Sequence, residues 1–197
     1  MSKAAKFNRQ KVIDKATNVY WKKGFHATSM RSLQDEIDMR PGSIYAAFGS
    51  KEGLFTEALR HYTDMGLAQL TLCHSEYRSP IEALKAFVKI QVIDTKDDAP
   101  NGMCMLAKTI GELTEDNQNL IDTTTAYLGE ITNQFVNIIE EAQAMGEIDK
   151  DKNSSDLASR VQIQIAGLRT FAKIDGDKNT LDAMIEDIFT HYPFKKD

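Results

Sequence analysis

Cys104 is the residue of this 197-residue sequence whose surroundings point most directly to chemistry. It follows Asn101-Gly102-Met103, and if Asn101 caps a helix, the thiol lies in the first turn, where the helix dipole favours the thiolate. Lys108, four residues on, and Lys173, from a later helix, are candidate cations beside it. Free cysteines are also among the most buried residue types, so the sequence leaves open whether Cys104 is a sensor or a core residue.

A second group of residues is spaced for contact with phosphate. Thr28 or Ser29 begins a short helix predicted over 29–37, and Pro41 opens another over 41–48. Hydroxyl and backbone N–H groups at a helix start bind phosphate, and Lys51 adds a cation just after the Ser50 cap of the next helix. Two short helices joined by a tight turn are typical of a helix-turn-helix, although small helical subdomains also contain them.

The charge of the chain is divided unevenly along its length. Residues 1–62 contain eleven lysines and arginines against six acidic residues, a net of +5, whereas residues 63–197 contain 13 against 23, a net of −10. The total of −5 hides this division. Because an acidic body repels phosphate, we expect any contact with nucleic acid to be confined to the first 62 residues.

Apolar residues recur at helical spacing almost throughout, and no period of two appears, so we predict an all-α chain of about nine helices. We predict a three-helix head over 1–50 and a larger helical body over 51–197, with a helix over about 51–70 connecting them. The first helix is predicted over Arg9–Lys23. Body helices are predicted over 81–93, 103–113, 117–145, 155–173 and 180–192.

Several functional classes lack their signatures. The four histidines form no zinc pattern, no glycine-rich phosphate loop follows a strand, and no GxSxG motif is present, so we predict no enzyme, cofactor or metal. No segment has the length of a signal peptide's apolar region or of a spanning helix, which predicts a cytoplasmic protein without a membrane partner. A small all-α enzyme, or a helical ligand-binding or partner-binding protein without DNA function, remains the alternative.

The runs Gly24-Phe25-His26-Ala27-Thr28-Ser29 and Gly42-Ser43-Ile44-Tyr45-Ala46-Ala47-Phe48-Gly49-Ser50-Lys51-Glu52 resemble the DNA-binding head of TetR-family repressors. The resemblance implies an all-α homodimer that binds a palindromic operator and holds a ligand pocket in its body. It places Ser43 and Tyr45 at phosphate contacts. Arg40, Gly42 and Ala46 become candidates for base edges, with Arg40 able to form a bidentate contact with guanine. Family members commonly have Ser and then Lys where this chain has Arg40 and Pro41, so the family's base preference does not carry over.

The body adds a second resemblance and two sets of candidate residues. Residues 104–112, with Cys, Lys and Glu four residues apart, resemble NemR-like repressors, a TetR subgroup that senses electrophiles and reactive chlorine through a cysteine. We therefore expect a repressor that releases its operator when a small hydrophobic or electrophilic effector binds or Cys104 is modified. The candidate pocket residues are Phe87, Met105, Ile110, Tyr127, Phe135 and Phe171. The candidate dimer-interface residues, on the last two helices, are Leu157, Val161, Ile165, Leu168, Leu181, Met184, Ile185, Ile188 and Phe189.

Overall fold

The computed structural model describes residues 8–94, 102–174, 176–191 and 193–194. Within these ranges the chain forms nine α-helices and one short 3-10 helix, and no strand, so the predicted all-α class is confirmed. None of the described helices is long and apolar enough to cross a bilayer. The helices are α1 Arg9–Lys23, α2 Met30–Ile37, α3 Pro41–Phe48, α4 Lys51–Glu76, α5 Pro80–Val92, α6 Met105–Glu112, α7 Gln118–Met145, α8 Ser154–Ile174 and α9 Lys178–Thr190, with the 3-10 helix Glu115–Asn117 before α7.

Local signals set the ends of the head helices. The Asn8 side chain accepts a hydrogen bond from the Lys11 amide at 3.1 Å, and Gly24, with a φ of 88°, ends α1 at the predicted residue. The Ser29 hydroxyl caps α2 by accepting from the Ser32 amide at 3.1 Å. Helix α3 starts differently, since Arg40 forms no side-chain cap and Pro41 occupies the first turn.

The helix-turn-helix is held together by a small apolar core. Leu33 of α2 and Ile44 of α3 are fully buried against α1 and α4, and Phe48 closes the end of α3. Between α2 and α3 the chain reverses at Asp38, whose φ of 54° and ψ of 47° lie in the left-handed region. The rear of α3 is thereby fixed to the head, which leaves its front free.

Helix α4 runs from the head into the body and extends to Glu76, beyond the 70 at which the prediction ended it. Its first half packs in the head core together with α6, whose Met105 and Leu106 are fully buried there. The second core joins α4, α5, α7, α8 and α9. Because α6 contributes to the core of the head, side-chain packing extends across residue 50. The division of the chain into two domains at that residue stays a prediction.

Most residues nominated for the dimer interface lie inside the chain. Ile188 packs partly buried against the body core, and only Met184, at 39% exposure, lies open at the surface. The predicted seam is therefore an intramolecular one, because these side chains fill the body core instead of covering a partner. The buried members are Leu157, Val161, Ile165, Leu168, Leu181, Ile185 and Phe189.

Candidate nucleic-acid interface and effector cavity

The front of α3 is the exposed side of the helix-turn-helix. Tyr45 projects from it with 48% of its surface exposed. Behind this face, the Arg9 guanidinium donates to the Ala47 carbonyl at 3.0 Å and lies 4.4 Å from the centroid of the Phe48 ring, which ties the end of α3 to α1. A short helix whose rear and C-terminal end are fixed in this way can be inserted into a groove as a rigid unit. The exposed residues that were predicted as DNA contacts are Arg40, Pro41, Gly42, Ser43, Tyr45 and Ala46.

Thr28, predicted to offer its hydroxyl to phosphate, does not face solvent. It is completely buried, and its hydroxyl donates to the Gly24 carbonyl at the end of α1. Ser29 is exposed and serves as the cap of α2, so the start of α2 and its free backbone N–H groups remain open. Of the two candidate hydroxyls at this helix start, the structure leaves only that of Ser29 near the surface.

Lys51 is half-buried at the start of α4. Its ammonium lies 4.2 Å from the centroid of the Phe25 ring, a cation–π contact, and its carbonyl accepts from the Tyr20 hydroxyl at 3.2 Å. Burial lowers the pKa of Lys51 from its ordinary value. The contact with the Phe25 ring restricts the side-chain conformations of Lys51 more than solvent would, and it holds the ammonium close to the head.

A cavity of about 260 Å³ lies in the body, between α4, α5, α7 and α8. Two nominated pocket residues, Phe87 and Phe135, line it. Met105 is buried in the core of the head, Ile110 is 37% exposed, and Tyr127 lies under the Arg60 guanidinium at 4.6 Å, so these three do not line it, and neither does Phe171. Sequence reasoning missed Trp21, Gln162 and Arg169, which line the cavity.

Cys104 caps α6 and lines this cavity, with 9% of its surface exposed. It therefore lies one position before the first turn in which it was predicted, and Asn101, its predicted cap, is outside the described residues. The Tyr62 phenol also lines the cavity, and burial, followed by the neighbouring Cys104 thiol, raises the pKa of Tyr62. The thiol is thus both a packed side chain and part of a cavity wall.

Helix α6 connects the cavity to the head through its polar side chains. The Lys108 ammonium donates to the carbonyls of Trp21 and Lys22, each at 3.1 Å, at the end of α1. The Glu112 carboxylate accepts from the Phe25 amide in the turn before α2. The described contacts of Lys108 are thus with helix α1 and not with the Cys104 thiol.

Lys173, the other candidate cation, is exposed near the end of α8. Burial is the main cause that lowers the pKa of Lys108, and the proximity of the positively charged Lys173 acts in the same direction. The charges of the two predicted sensor lysines thus act on each other, but neither lysine lines the cavity. No group of His, Cys, Asp or Glu side chains within the described ranges could hold a metal ion.

Comparison with known proteins identifies the family. The family model described as "Bacterial regulatory proteins, tetR family" matches residues 12–58, which include most of α1 and all of α2 and α3. The model described as "Tetracyclin repressor-like, C-terminal domain" matches residues 80–188 of the body. The chain belongs to the tetR family. The helix-turn-helix of α2 and α3 is therefore the head of a tetR-family protein, and the cavity lies in the body of one.

Individual transcriptional regulators resemble this chain over most of its length. The HTH-type transcriptional repressor ComR of Escherichia coli strain K12 is 28% identical over 169 residues, which cover 85% of this chain and 80% of ComR. A CifR cysteine mutant, solved with 26 bp double-strand operator DNA, is 28% identical, covers 97% of this chain and 100% of its own, and superimposes with a TM-score of 0.87. A tetR-family regulator from Cytophaga hutchinsonii, 20% identical with a TM-score of 0.78, covers 95% of this chain and 96% of its own and shares the fold.

Proposed function

We propose that this tetR-family protein is a DNA-binding transcriptional repressor whose head binds a palindromic operator. The observation that carries the proposal is the geometry of α3, whose rear is buried through Ile44 and Phe48 while its front is exposed. The similarity to CifR, a structure solved with operator DNA, and to the repressor ComR supports it. We infer no catalytic reaction, and a repressor of this kind acts in the bacterial cytoplasm, where its DNA lies.

We propose that the repressor works as a homodimer through the outward faces of α8 and α9. The exposed side of α8 carries Ile163 and Ile174, which are 67% and 82% exposed, and Met184 is exposed on α9. Large apolar residues left in water at helical spacing suit helix packing against a second copy. This face replaces the buried seam nominated from the sequence, and dimerisation sets the two heads about one helical turn of DNA, roughly 34–36 Å, apart.

We further propose that DNA release follows occupation of the body cavity or modification of Cys104. Cys104 and Trp21 share the cavity wall, and Trp21 belongs to α1 of the head. The Trp21 indole N–H donates to the Met103 carbonyl at 2.7 Å, directly beside Cys104. A change at the cavity wall therefore reaches the head through one side chain, as the electrophile-sensing resemblance at residues 104–112 would require.

The DNA-binding proposal is tested by selecting bound duplexes from a random pool and measuring affinity for the selected site by fluorescence anisotropy. If Arg40 contacts a base edge, Arg40→Ala costs about 1–3 kcal/mol of binding free energy. Arg78→Ala, an exposed arginine between α4 and α5, removes the same charge from the acidic body and should change affinity little. A pool that yields no enriched sequence, or equal losses in the two variants, contradicts the proposal.

A further inference from the structure

The body cavity is mainly apolar. Phe87 and Phe135 lie against each other with ring centroids 5.8 Å apart, and Met65, Ile90 and Ile131 add aliphatic surface. The cavity measures about 260 Å³. On the scale on which an apolar cavity of about 150 Å³ takes one benzene molecule, this space holds a ligand of roughly ten heavy atoms. The shape and lining therefore suit a small hydrocarbon body, such as one aromatic ring or a short alkyl chain.

Arg169 brings a positive charge to this apolar cavity. It is 3% exposed, and its guanidinium donates to the Gly102 carbonyl at 3.0 Å, the Tyr62 hydroxyl at 3.2 Å, and more distantly at 3.4 Å to Gln91 and the Met103 carbonyl. All of these partners are neutral. No carboxylate in the part of the chain that the structure describes lies within ion-pair distance of it, and a buried cation without a counter-ion is costly.

Gln162 is a second polar group directed at the same cavity. Its side-chain oxygen is buried and has no hydrogen-bond partner. A buried amide oxygen without a partner costs free energy that a ligand can recover. Rotation of the amide by half a turn presents its NH₂ group instead, which donates to an oxygen atom. The cavity wall thus offers one full positive charge and one adaptable amide.

We propose that this cavity binds a small monocarboxylate, with the carboxylate on Arg169 and Gln162 and the hydrocarbon portion against Phe87 and Phe135. A single buried cation matches one negative charge, and planar guanidinium groups bind carboxylates through two parallel hydrogen bonds. The mainly apolar lining disfavours a multiply charged ligand such as a phosphate ester. The inference deepens the proposed function, since it names the chemical class of the effector and rests on that function for the release of DNA.

Binding at Arg169 has a direct route to the head. Arg169 donates to the carbonyls of Gly102 and Met103, and the Met103 carbonyl also accepts from the Trp21 indole. A carboxylate that engages the guanidinium competes with these carbonyls and so loosens the segment between residues 102 and 104. Because Trp21 belongs to α1, the change is transmitted to the helix against which α2 and α4 pack.

The chain contains one tryptophan, so Trp21 emission reports on the cavity without a label. We would titrate the full-length protein with two isosteric pairs, octanoate against octanamide and 3-phenylpropanoate against 3-phenylpropanamide. In at least one pair we expect the acid to change Trp21 emission with at least tenfold higher affinity than the amide. Equal affinity of acid and amide in both pairs, or no change in emission with either acid at millimolar concentration, overturns the proposal.

Variants then assign the preference to one side chain. Arg169→Gln should reduce the affinity for the acid at least tenfold and bring the ratio of acid to amide towards one, whereas Arg160→Gln, an exposed arginine on the same helix, should leave the ratio unchanged. If Arg169→Gln fails to fold by circular dichroism, Arg169→Lys keeps the charge and should retain a preference for the acid. Retention of the full preference in a folded Arg169→Gln variant overturns the assignment.

A parallel titration with the selected DNA duplex separates this inference from the proposed function. Acid binding that releases DNA supports both. Acid binding that leaves DNA bound supports the ligand class and overturns the release step. If the protein binds no duplex even without a ligand, the proposed function is overturned. The preference for acid over amide is measured by Trp21 emission without DNA, so that result does not depend on DNA binding.

Discussion

Arg40 and Arg169 carry the same charge in opposite surroundings. Arg40 is exposed at the start of α3, where water solvates its guanidinium. Arg169 is 3% exposed in the body and is surrounded by carbonyl, hydroxyl and amide oxygens. A solvated cation costs little to maintain and attracts a polyanion from a distance, whereas a buried cation is retained at a cost and gains most from an anion that reaches it.

The comparison explains why one chain needs two kinds of binding surface. The head presents charge on a rigid exposed helix, which suits a large ligand that arrives from solvent. The body surrounds its charge with apolar side chains, which suits a ligand small enough to leave water. Between them, α6 contacts both, with Lys108 bonded to the end of α1 and Cys104 in the cavity wall. Helix α6 and the segment before it therefore connect α1 of the head with the cavity that contains Arg169.

The largest difference should appear in the dependence on salt. We expect operator affinity to fall by about a thousandfold or more between 50 and 200 mM salt if six or more phosphates are contacted, because counterions are released from DNA. Octanoate binding at Arg169 should change less than about threefold over the same range, because a buried pair is screened little. Anisotropy for DNA and Trp21 emission for octanoate measure both. Similar salt slopes for the two ligands would contradict the distinction between the exposed and the buried cation.

The two cysteines provide the next test, of whether the body also signals through a thiol. Cys104 is 9% exposed in the cavity wall, whereas Cys73 is 1% exposed within α4. The cysteine sulfur forms a bond to one carbon of the maleimide double bond, the π bond breaks, and the other carbon takes up the proton that the thiol loses. We expect one adduct by intact mass and loss of operator binding in the wild type and in Cys73→Ser. Cys104→Ser should keep its DNA bound, and if it responds like the wild type, Cys104 has no role as a sensor.

Much of the head could be predicted because its signals are local. The cap at Asn8, the glycine at residue 24 and the proline at residue 41 lie within a few residues of the ends that they determine. Thr28 was misplaced for the same reason. A hydroxyl near a helix start suits either a phosphate or a preceding carbonyl, and tertiary packing against the end of α1 decided in favour of Gly24.

The lining of the cavity could not be predicted in the same way, because it depends on contacts between residues that are distant in the sequence. Trp21 joins it from α1, and its hydrogen bond to the Met103 carbonyl connects residues that are 82 positions apart in the sequence. Arg169 did leave a signal, because it lies in the buried stripe of α8 between Ile165 and Ala172, where a charge is unexpected. The residues of α8 that were nominated for the dimer interface form its strongest apolar stripe, which packs inward within the chain, whereas the weaker stripe with Ile163 faces solvent.

The smallest expected effect is on the free energy of unfolding, and it concerns charges that are paired with each other at the surface. They differ from Arg40, which is solvated, and from Arg169, which is buried among neutral partners. Glu186 on α9 accepts from Lys85 at 3.1 Å and Lys89 at 2.6 Å on α5, and these hydrogen bonds lower the pKa of its carboxyl. A pKa depressed by folding stabilises the native state above the unfolded carboxyl's pKa, and the contribution is lost as the pH falls through the folded value.

Glu186→Gln should therefore reduce the free energy of unfolding at pH 7 by at most about 1 kcal/mol, because the carboxylate is 39% exposed and solvent screens it. The difference from the wild type should shrink as the pH is lowered below about 4, where the unfolded carboxyl protonates. Urea unfolding at several pH values measures it, with Asp151→Asn in the exposed turn after α7 as the control. Breaking a buried ion pair costs about 3–5 kcal/mol. A loss of that size in Glu186→Gln would show that this exposed pair behaves as a buried one, and would contradict the distinction between exposed and buried charges drawn from Arg40 and Arg169.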